Sequence, residues 1–354
     1  MSGEWNRLNR QLQRERKVRV MRIRVGIGVA VVLFLLGTIF FLTHRITNSG
    51  ENSTEALLTE TEEGQDQETD LESEDESGDE AESGSGDELQ ATVSVDYDAL
   101  TAEIEEILSG DTISGEWSVY LKNLDTSESL LINDESMYAA SLIKLFVLQS
   151  SYEHLDDLVA NYCSINNTSE ENALATIKDR LYTMIVYSRN ESYNELVRLH
   201  SSSGSFTSGC RLVNSFIAEC GYSTTGIYTT LHPSDSSFET TGEGTNHTTA
   251  KDCGDLLESI YYRTCVSEEA SEEMLSYLLQ QSTTTKIPAG VPDGISVANK
   301  TGETDEETHD AAIVFGEKTD YILCVMSTGV DVMGAGNAGN IIKQISALVY
   351  DALN

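Results

Sequence analysis

The residues best suited to chemistry in this sequence are Ser141 and Lys144, which stand three positions apart in a hydrophobic stretch. From Leu142 to Leu148 every residue except Lys144 is a large hydrophobe, so a helix here has no polar face and is predicted to be buried. Lysine is seldom buried without a partner, because removing an ammonium group from water is costly. Since positions i and i+3 share one face of a helix, the serine hydroxyl and the lysine amine are predicted to lie side by side.

Burial would turn this pair into a nucleophile and its base. An apolar environment lowers the pKa of a lysine, and the neutral amine can then accept the proton of a serine hydroxyl. A structural alternative uses the same residues: a serine often caps the start of a helix, and a lysine side chain can extend along an apolar surface to reach water. The pattern S-x-x-K is too short to decide between these alternatives by itself.

Two other short polar motifs follow along the chain. Ser188-Arg189-Asn190 interrupts a region of helical pattern, and Lys300-Thr301-Gly302 stands at the end of a predicted strand. Each has an ordinary explanation: Ser188 and Asn190 could cap the helix predicted to begin near Glu191, and K-T-G could be a strand exit with a turn glycine. Evidence for a catalytic role comes from the order in which the three motifs occur along the chain.

In this order, S-x-x-K, S-x-N and K-T-G resemble the signatures of the penicillin-recognising serine enzymes. The resemblance is to the class A β-lactamase-like catalytic domain and covers about residues 98–354. Ala139-Ala140 before the serine and His309–Val314 after K-T-G extend it, whereas Ser-Arg-Asn replaces the usual Ser-Asp-Asn. The resemblance implies a class A β-lactamase-like α+β fold. In it, N- and C-terminal strands form one antiparallel sheet packed with helices, beside an all-helical lobe.

The resemblance also implies which residues are catalytic. Ser141 would attack a strained lactam or a D-alanyl amide, and its backbone N–H would form half of the oxyanion hole. Lys144 would be the base for that attack, unless a carboxylate acts through water, a point that is disputed within the family. Ser188 would relay a proton to the leaving nitrogen.

Five further residues are implied to bind the substrate. Asn190 would hydrogen-bond its amide group, and Lys300 would attract its carboxylate, with Thr301 and Gly302 of the same motif beside it. The backbone N–H of Glu303, on the strand edge, would complete the oxyanion hole. The family resemblance implies neither a cofactor nor a metal ion.

One departure from the family concerns deacylation. Class A β-lactamases carry a glutamate between S-x-N and K-T-G, in the pattern E-x-x-L-N, which activates the deacylating water. The corresponding segment here, residues 228–235, contains no glutamate, and neither Asp235 nor Glu239 nor Glu243 fits the pattern. His247-Thr248-Thr249 resembles the segment that normally follows this loop. We therefore expect complete acylation machinery and slow hydrolysis of the acyl-enzyme.

The elements that must position these residues can be predicted from periodicity. A helix is predicted over residues 100–108, followed by a hairpin of strands 117–121 and 129–132, and a helical region over 170–199 that is broken at 187–190. Further helices are predicted near 211–219, 250–262 and 268–280, strands near 295–299, 311–315 and 321–326, and an amphipathic helix from Ala338 to Leu353. Strands at both ends with helices between them indicate an α+β domain.

Composition argues against some classes of partner and some kinds of catalytic chemistry. The 354 residues, 39% of them hydrophobic, suffice for a sizeable core, and a net charge of -37 argues against a nucleic-acid partner. The six histidines form no H-x-H or H-E-x-x-H pattern, so metal-dependent hydrolysis is poorly supported. Disulfides are possible in an exported domain, but no connectivity can be read from the six cysteines, Cys163, Cys210, Cys220, Cys253, Cys265 and Cys324.

The N-terminal quarter predicts a membrane anchor. Residues 1–24 carry eight lysines and arginines against two glutamates, and residues 25–43 contain no charge, a length that spans a bilayer. The basic side is predicted to stay in the cytoplasm. A cleaved signal peptide is the alternative, but Thr43-His44-Arg45-Ile46 lacks the small residues of a cleavage site. Residues 44–97 form an acidic segment with too few apolar groups to fold, which predicts a disordered linker.

Two hypotheses about function follow. The first is a serine hydrolase of the bacterial cell membrane, single-pass and with its domain (residues 98–354) outside the cytoplasm, that acts on β-lactams or D-alanyl peptides. The second is a penicillin-binding sensor or wall-binding module that is acylated, or merely binds, without turnover. The rate at which a bound penicillin label is released separates the two hypotheses.

The first prediction concerns topology. Protease added to intact cells or spheroplasts is expected to remove the domain that contains Ser141 and to leave the basic tail protected, because that tail is predicted to be cytoplasmic. Immunoblots against tags at both ends measure this. Release of the whole domain near Asn48 without added protease would show a cleaved signal peptide instead.

Overall fold

The computed structural model describes residues 95–110, 114–231, 238–330 and 338–354. The predicted basic tail (1–24), the membrane segment (25–43) and all but the last residues of the predicted linker (44–97) lie outside this range. Within the described ranges, no helix is both long and apolar enough to cross a bilayer.

Seven strands occur in the described part of the chain: β1 (Glu116–Asn123), β2 (Ser129–Ile132), β3 (Met137–Tyr138), β4 (His247–Thr248), β5 (Ser296–Glu303), β6 (Thr308–Phe315) and β7 (Asp320–Thr328). Five of them form an antiparallel sheet in the order β2-β1-β7-β6-β5, and β3 pairs with β4 separately. Because β1 pairs with β7, the N- and C-terminal strands meet in one sheet, and β5 is left at its edge.

The helices lie on both sides of this sheet. They are α1 (Tyr97–Leu108), α2 (Lys144–Glu153), α3 (Leu155–Asn166), α4 (Glu170–Val186), α5 (Asn190–Leu199), α6 (Phe206–Glu219), α7 (Ala250–Tyr261), α8 (Glu268–Leu278), α9 (Ile287–Gly290) and α10 (Ala338–Leu353). Several begin at a side chain that accepts a backbone N–H of the first turn, a stabilising N-cap; these caps are Asp96, Ser169, Ser205, Thr249 and Ser267.

Alternation along the strands gives the sheet two buried faces. On one face Ala298 and Cys324 pack with the helical lobe that contains α2, α4, α5 and α6. On the other face Val314 and Leu323 pack with the terminal helices α1 and α10. The edge strand β5 therefore lies where the sheet meets the helical lobe, and a cleft with polar side chains can form there.

The class A β-lactamase-like α+β architecture predicted from the sequence is confirmed, with differences of detail. Helix α3 was not predicted from the sequence. Lys300-Thr301-Gly302 lies within β5, which continues to Glu303, rather than at the end of a strand. All six cysteines are free thiols, and Cys324 is buried in β7.

Candidate active site

Ser141 lies in a 3-10 turn, Ala140–Ile143, that leads directly into α2. Lys144 is the first residue of α2 and is completely buried, as are its hydrophobic neighbours. Ala140 has a φ of 43°, a left-handed conformation that is strained for a residue with a Cβ and that occurs preferentially at functional sites. The side chain of Ser141 remains partly exposed. The serine is thus partly accessible, with the buried amine of Lys144 2.9 Å from its hydroxyl.

The Lys144 amine is the centre of a hydrogen-bond network. Its Nζ lies 2.9 Å from Ser141 Oγ, 2.7 Å from Asn190 Oδ1, 2.6 Å from the backbone oxygen of Ser188 and 3.1 Å from Ser188 Oγ. A neutral amine has two N–H donors and one lone pair. The Ser188 carbonyl and the Asn190 amide oxygen can only accept, so they suit the two donors. The lone pair is then left for a hydroxyl proton.

Burial decides the charge of this amine. Burial first, and then the neighbouring Lys300 cation, lower the pKa of Lys144 well below its ordinary value of 10.5, while Glu191 acts in the opposite direction. The neutral form is therefore favoured at a pH where an exposed lysine is charged. Together with the 2.9 Å contact to Ser141, this makes Lys144 a competent general base.

Ser188 occupies the break between α4 and α5. The Tyr187 and Arg189 backbone N–H groups both donate to the Thr183 carbonyl oxygen, and Ser188 between them has a φ of 54°. The Ser188 hydroxyl lies 2.9 Å from Lys300 Nζ as well as 3.1 Å from Lys144 Nζ. It thus bridges the two lysines, as a group that relays a proton must.

The structural alternatives for the three motifs are wrong. Ser141 makes no capping hydrogen bond, and Lys144 does not reach water. The N-cap of α5 is Arg189, without a side-chain cap, so Ser188 and Asn190 are not there to cap the helix. Gly302 lies inside a strand rather than in a turn.

Lys300 connects β5 to the other two motifs through its contact with Ser188. It is completely buried, and its Nζ donates to the Thr301 carbonyl oxygen at 2.7 Å besides contacting Ser188. Burial lowers the pKa of Lys300 to about 7, with Asp310 opposing this effect and Lys286 adding to it. Thr301 is buried beside it, and Glu303, which ends the strand, is exposed. The structure therefore connects Ser141, Lys144, Ser188, Asn190 and Lys300 in one network.

Gly302 lies where β5 passes close to Ser141. A Cβ at this position would lie 3.2 Å from the backbone N of Ser141, 3.2 Å from the carbonyl oxygen of Ala139 and 3.0 Å from the His309 ring. A Cβ here would require these neighbours to shift by a few tenths of an ångström, so the glycine eases the close approach of the strand. The backbones of Ser141 and of the end of β5 thus lie together, where two N–H groups could form an oxyanion hole.

His309 links the segment before Ser141 to strands β6 and β7 through hydrogen bonds. Its Nε2 lies 2.9 Å from the Tyr138 carbonyl oxygen, and its Nδ1 accepts the backbone N–H of Ser327 at 3.2 Å. Since Nδ1 accepts, Nε2 carries the proton of a neutral ring. Burial lowers the pKa of His309 to about 4, which keeps the ring neutral. The chain just before Ser141 is thereby fixed to β6 and β7.

Two buried ionisable residues next to β5, Asp310 and Lys286, were not predicted as part of the site from the sequence. Asp310 is completely buried and accepts hydrogen bonds from the Ile287 backbone N–H at 3.0 Å and from Asn299 Nδ2 at 2.9 Å; burial raises its pKa to about 6. Lys286 is 2% exposed, and its Nζ lies 2.8 Å from a Glu303 carboxylate oxygen. A lone lysine two residues before a proline carries no motif, so only the fold reveals it.

The segment where a deacylating glutamate was sought is only partly described. Asn194 on α5 exchanges hydrogen bonds of 3.0 Å with the backbone N–H and carbonyl of Leu231, which fixes the start of the segment. Glu239, one candidate for a displaced base, directs its carboxylate to Arg198. Asp235, the other candidate, lies outside the described residues. Within the described ranges, no group of three or more His, Cys, Asp or Glu side chains is placed to hold a metal ion.

Comparison with known proteins agrees with this geometry. The family model described as "Beta-lactamase enzyme family" matches residues 99–353. The chain belongs to this β-lactamase family. Among curated proteins, no sequence matches it.

Solved structures show the same fold. PBP-A has a TM-score of 0.56 at 23% identity, over 72% of this chain and 95% of PBP-A. A PBP-A variant solved as an acyl-enzyme complex with penicillin G has a TM-score of 0.57 at 22% identity, over 72% of this chain and 96% of that one. A β-lactamase from Sphaerobacter thermophilus DSM 20745 has a TM-score of 0.57 at 18% identity, over 73% and 98%.

The second prediction concerns the nucleophile and its base. Ser141→Ala is expected to abolish covalent labelling by a fluorescent penicillin. Lys144→Ala is expected to slow labelling by about 10²–10⁴-fold, the usual worth of a general base. Lys144→Met keeps the buried volume and serves if the alanine variant unfolds. The rate of label uptake, read from gels, measures both effects.

Exposed Lys343 on α10 offers a matched control. Lys343→Ala removes an amine from the far face of the sheet and is expected to label at the wild-type rate. Circular dichroism checks that each variant is folded. Labelling of Ser141→Ala would show that another residue is the nucleophile.

Proposed function

We propose that this protein is a membrane-anchored serine hydrolase that is acylated at Ser141 by β-lactams or by D-alanyl peptides of the bacterial cell wall. The observation that carries the proposal is the position of the Lys144 amine, which is completely buried and 2.9 Å from the hydroxyl of Ser141. Because burial lowers the pKa of this amine, it can accept the proton of the neighbouring hydroxyl.

Acylation can be followed as one proton path. Lys144 Nζ takes the proton of Ser141 Oγ as that oxygen bonds to the substrate carbonyl carbon, and the carbonyl oxygen becomes negative. When the C–N bond breaks, the leaving nitrogen takes a proton from Ser188 Oγ. Lys144 replaces it across the 3.1 Å contact. The net result is that Ser141 loses one proton and the leaving nitrogen gains one, with Ser188 and the Lys144 amine restored to their neutral forms.

Binding groups surround this path. The backbone N–H groups of Ser141 and Glu303 would stabilise the negative oxygen. Asn190 would bind the substrate amide, and Lys300 with Thr301 would bind a carboxylate next to the scissile bond. At neutral pH, Lys300, with its pKa lowered to about 7 by burial, is only partly charged, and an arriving carboxylate would favour its cationic form.

Deacylation is proposed to be slow. Water must be activated before it can attack the ester, and Glu239, the described candidate, is bound to Arg198. Lys144 remains as a base, but one group then serves both steps. A lactam acyl-enzyme keeps its leaving nitrogen tethered, which makes its hydrolysis more demanding still.

The domain is proposed to act outside the cytoplasm of a bacterial cell, held by residues 25–43 as a single membrane span. Support comes from the sequence: an uncharged run of bilayer length follows a basic tail, and an acidic segment separates it from the domain. Such a tether would let the active site reach a wall substrate near the membrane.

A penicillin-binding sensor is the second candidate. It would use the same acylation machinery and differ only in lacking turnover. The ion pair of Glu239 with Arg198 favours this candidate, because it engages a carboxylate that turnover could use. The rate of deacylation decides between the sensor and the enzyme.

The third prediction is a burst. Mixing the full-length protein with excess benzylpenicillin is expected to give one equivalent of penicilloyl adduct on Ser141 within minutes, followed by slow release, since acylation has a base and deacylation lacks a dedicated one. Intact-protein mass spectrometry and peptide mapping measure the adduct.

The outcomes separate the candidates. Slow steady release after the burst supports the hydrolase, whereas an adduct that persists for hours supports the sensor. Rapid turnover without a detectable adduct would contradict slow deacylation and point to Asp235 or Glu239 as a base, which Asp235→Asn and Glu239→Gln would then test. Absence of any adduct and any product would contradict the proposed function.

A further inference from the structure

The backbone of Ser188 has a conformation that its own loop does not favour. Its φ of 54° is left-handed, which is strained for a residue with a Cβ and persists only where the surroundings hold it in place. The proposed proton relay depends on this conformation, because the Ser188 carbonyl oxygen lies 2.6 Å from Lys144 Nζ and its hydroxyl lies 2.9 Å from Lys300 Nζ. The groups that hold the loop therefore bear on catalysis.

The end of α4, just before Ser188, is held by a segment from a distant part of the chain. The carbonyl oxygens of Ile185 and Val186 belong to the last turn of the helix, where no later N–H of the helix can reach them. Gln281, 96 positions after Ile185, donates its side-chain N–H to the Ile185 oxygen at 2.9 Å. Ser282 donates both its backbone N–H, at 3.1 Å, and its hydroxyl, at 2.8 Å, to the Val186 oxygen.

The same segment is attached to β5 next to Lys300. The side-chain oxygen of Gln281, which is only 6% exposed, accepts the Thr283 backbone N–H at 3.2 Å. The Thr283 carbonyl oxygen in turn accepts a 3.3 Å hydrogen bond from Asn299, the buried residue that precedes Lys300 in β5. Asn299 is itself fixed by a 2.9 Å hydrogen bond to Asp310. The Gln281 side chain thus links the end of α4 to the strand that carries the second lysine of the relay.

We propose that Gln281 is a positioning residue for the proton relay, and that its side-chain amide holds Ser188 where it can protonate the leaving nitrogen. This inference rests on the proposed function. Gln281 bonds two backbone groups, the Ile185 carbonyl and the Thr283 N–H, so it acts through the Ser188 loop and not on the substrate. Without the amide, the buried Ile185 oxygen loses its donor, and the end of α4 is free to shift away from β5.

A role in the relay has a chemical signature that a general structural role lacks. The nitrogen of a lactam or amide must gain a proton as the C–N bond breaks, because the nitrogen anion is too basic to leave. A phenol has a pKa of about 10, so the oxygen of an aryl ester leaves as the phenolate and needs no relay. Displacement of Ser188 therefore slows acylation by amides selectively. Loss of the base, of the oxyanion hole or of the folded state slows acylation by both kinds of substrate.

The test compares benzylpenicillin with 3-carboxyphenyl phenylacetylglycinate, an aryl ester that keeps the phenylacetyl group and a carboxylate. Acylation rate constants of the full-length protein are measured by intact-protein mass spectrometry for the penicillin and by release of the phenol for the ester. Gln281→Met keeps the length of the side chain and removes its amide. For this variant the ratio of the penicillin rate to the ester rate is expected to fall about tenfold or more, since misplaced proton transfer is costly. Ser188→Ala, which removes the relay itself, is expected to lower the ratio at least as far.

Gln280→Met is the matched control. It makes the same change at the neighbouring, exposed glutamine, whose side-chain N–H donates to the Ser276 carbonyl, and it is expected to keep the wild-type ratio. If Gln281→Met does not fold, Ser282→Ala decides, because it removes only an exposed hydroxyl that donates to Val186: a lower ratio supports the inference, and the wild-type ratio overturns it.

The remaining outcomes separate this inference from the proposed function. An unchanged ratio in Gln281→Met or in Ser188→Ala, or an equal fall in Gln280→Met, would overturn the inference alone. Absence of acylation of the wild-type protein by both probes would overturn the proposed function and this inference with it.

Discussion

An amine without water around it is the constraint on which the active site depends. Lys144 is completely buried at the start of an apolar helix. Burying a charged amine costs several kcal/mol unless hydrogen bonds compensate for the lost water, and a neutral amine avoids most of this cost. Three separate segments meet around it: the turn of Ser141, the break at Ser188 and Asn190, and, through Ser188, the edge strand with Lys300. The contacts that satisfy the buried amine also place the Ser141 and Ser188 hydroxyls beside it, and these three groups are the proposed nucleophile, base and proton relay.

A second group of ionisable residues, Asp310, Lys286 and Glu303, lies close to Lys300. Asp310, held by two N–H donors, offsets the positive charges of Lys286 and Lys300 and keeps the buried edge of the sheet close to neutral. Glu303 completes this balance from the solvent side. Because each charge shifts the others, a substitution here is expected to change the protonation of Lys300 and the binding of carboxylates even where it touches no substrate.

Sequence analysis predicted the architecture and the catalytic motifs but not the groups behind them. Periodicity predicted the amphipathic helices because each has one clearly apolar face. Continuous apolar runs predicted the central strands β6 and β7 and the burial of Lys144. Helix α3 was missed because only one of its residues, Leu158, is buried, so its apolar pattern is weak. Lys286 and Asp310 were missed because their roles depend on which strands become neighbours. The roles of the predicted catalytic and binding residues and the membrane anchor stay predictions.

The most direct test of this account is the ionisation of Lys144 itself. Full-length protein containing lysine labelled with ¹³C at Cε is titrated by NMR, and the resonance is assigned by its loss in Lys144→Arg. Burial and the neighbouring Lys300 cation lower the pKa, so the Lys144 signal is predicted to report a neutral amine at neutral pH and to titrate well below 10.5. A signal that stays in the charged position until about pH 10.5 would contradict Lys144 as the base.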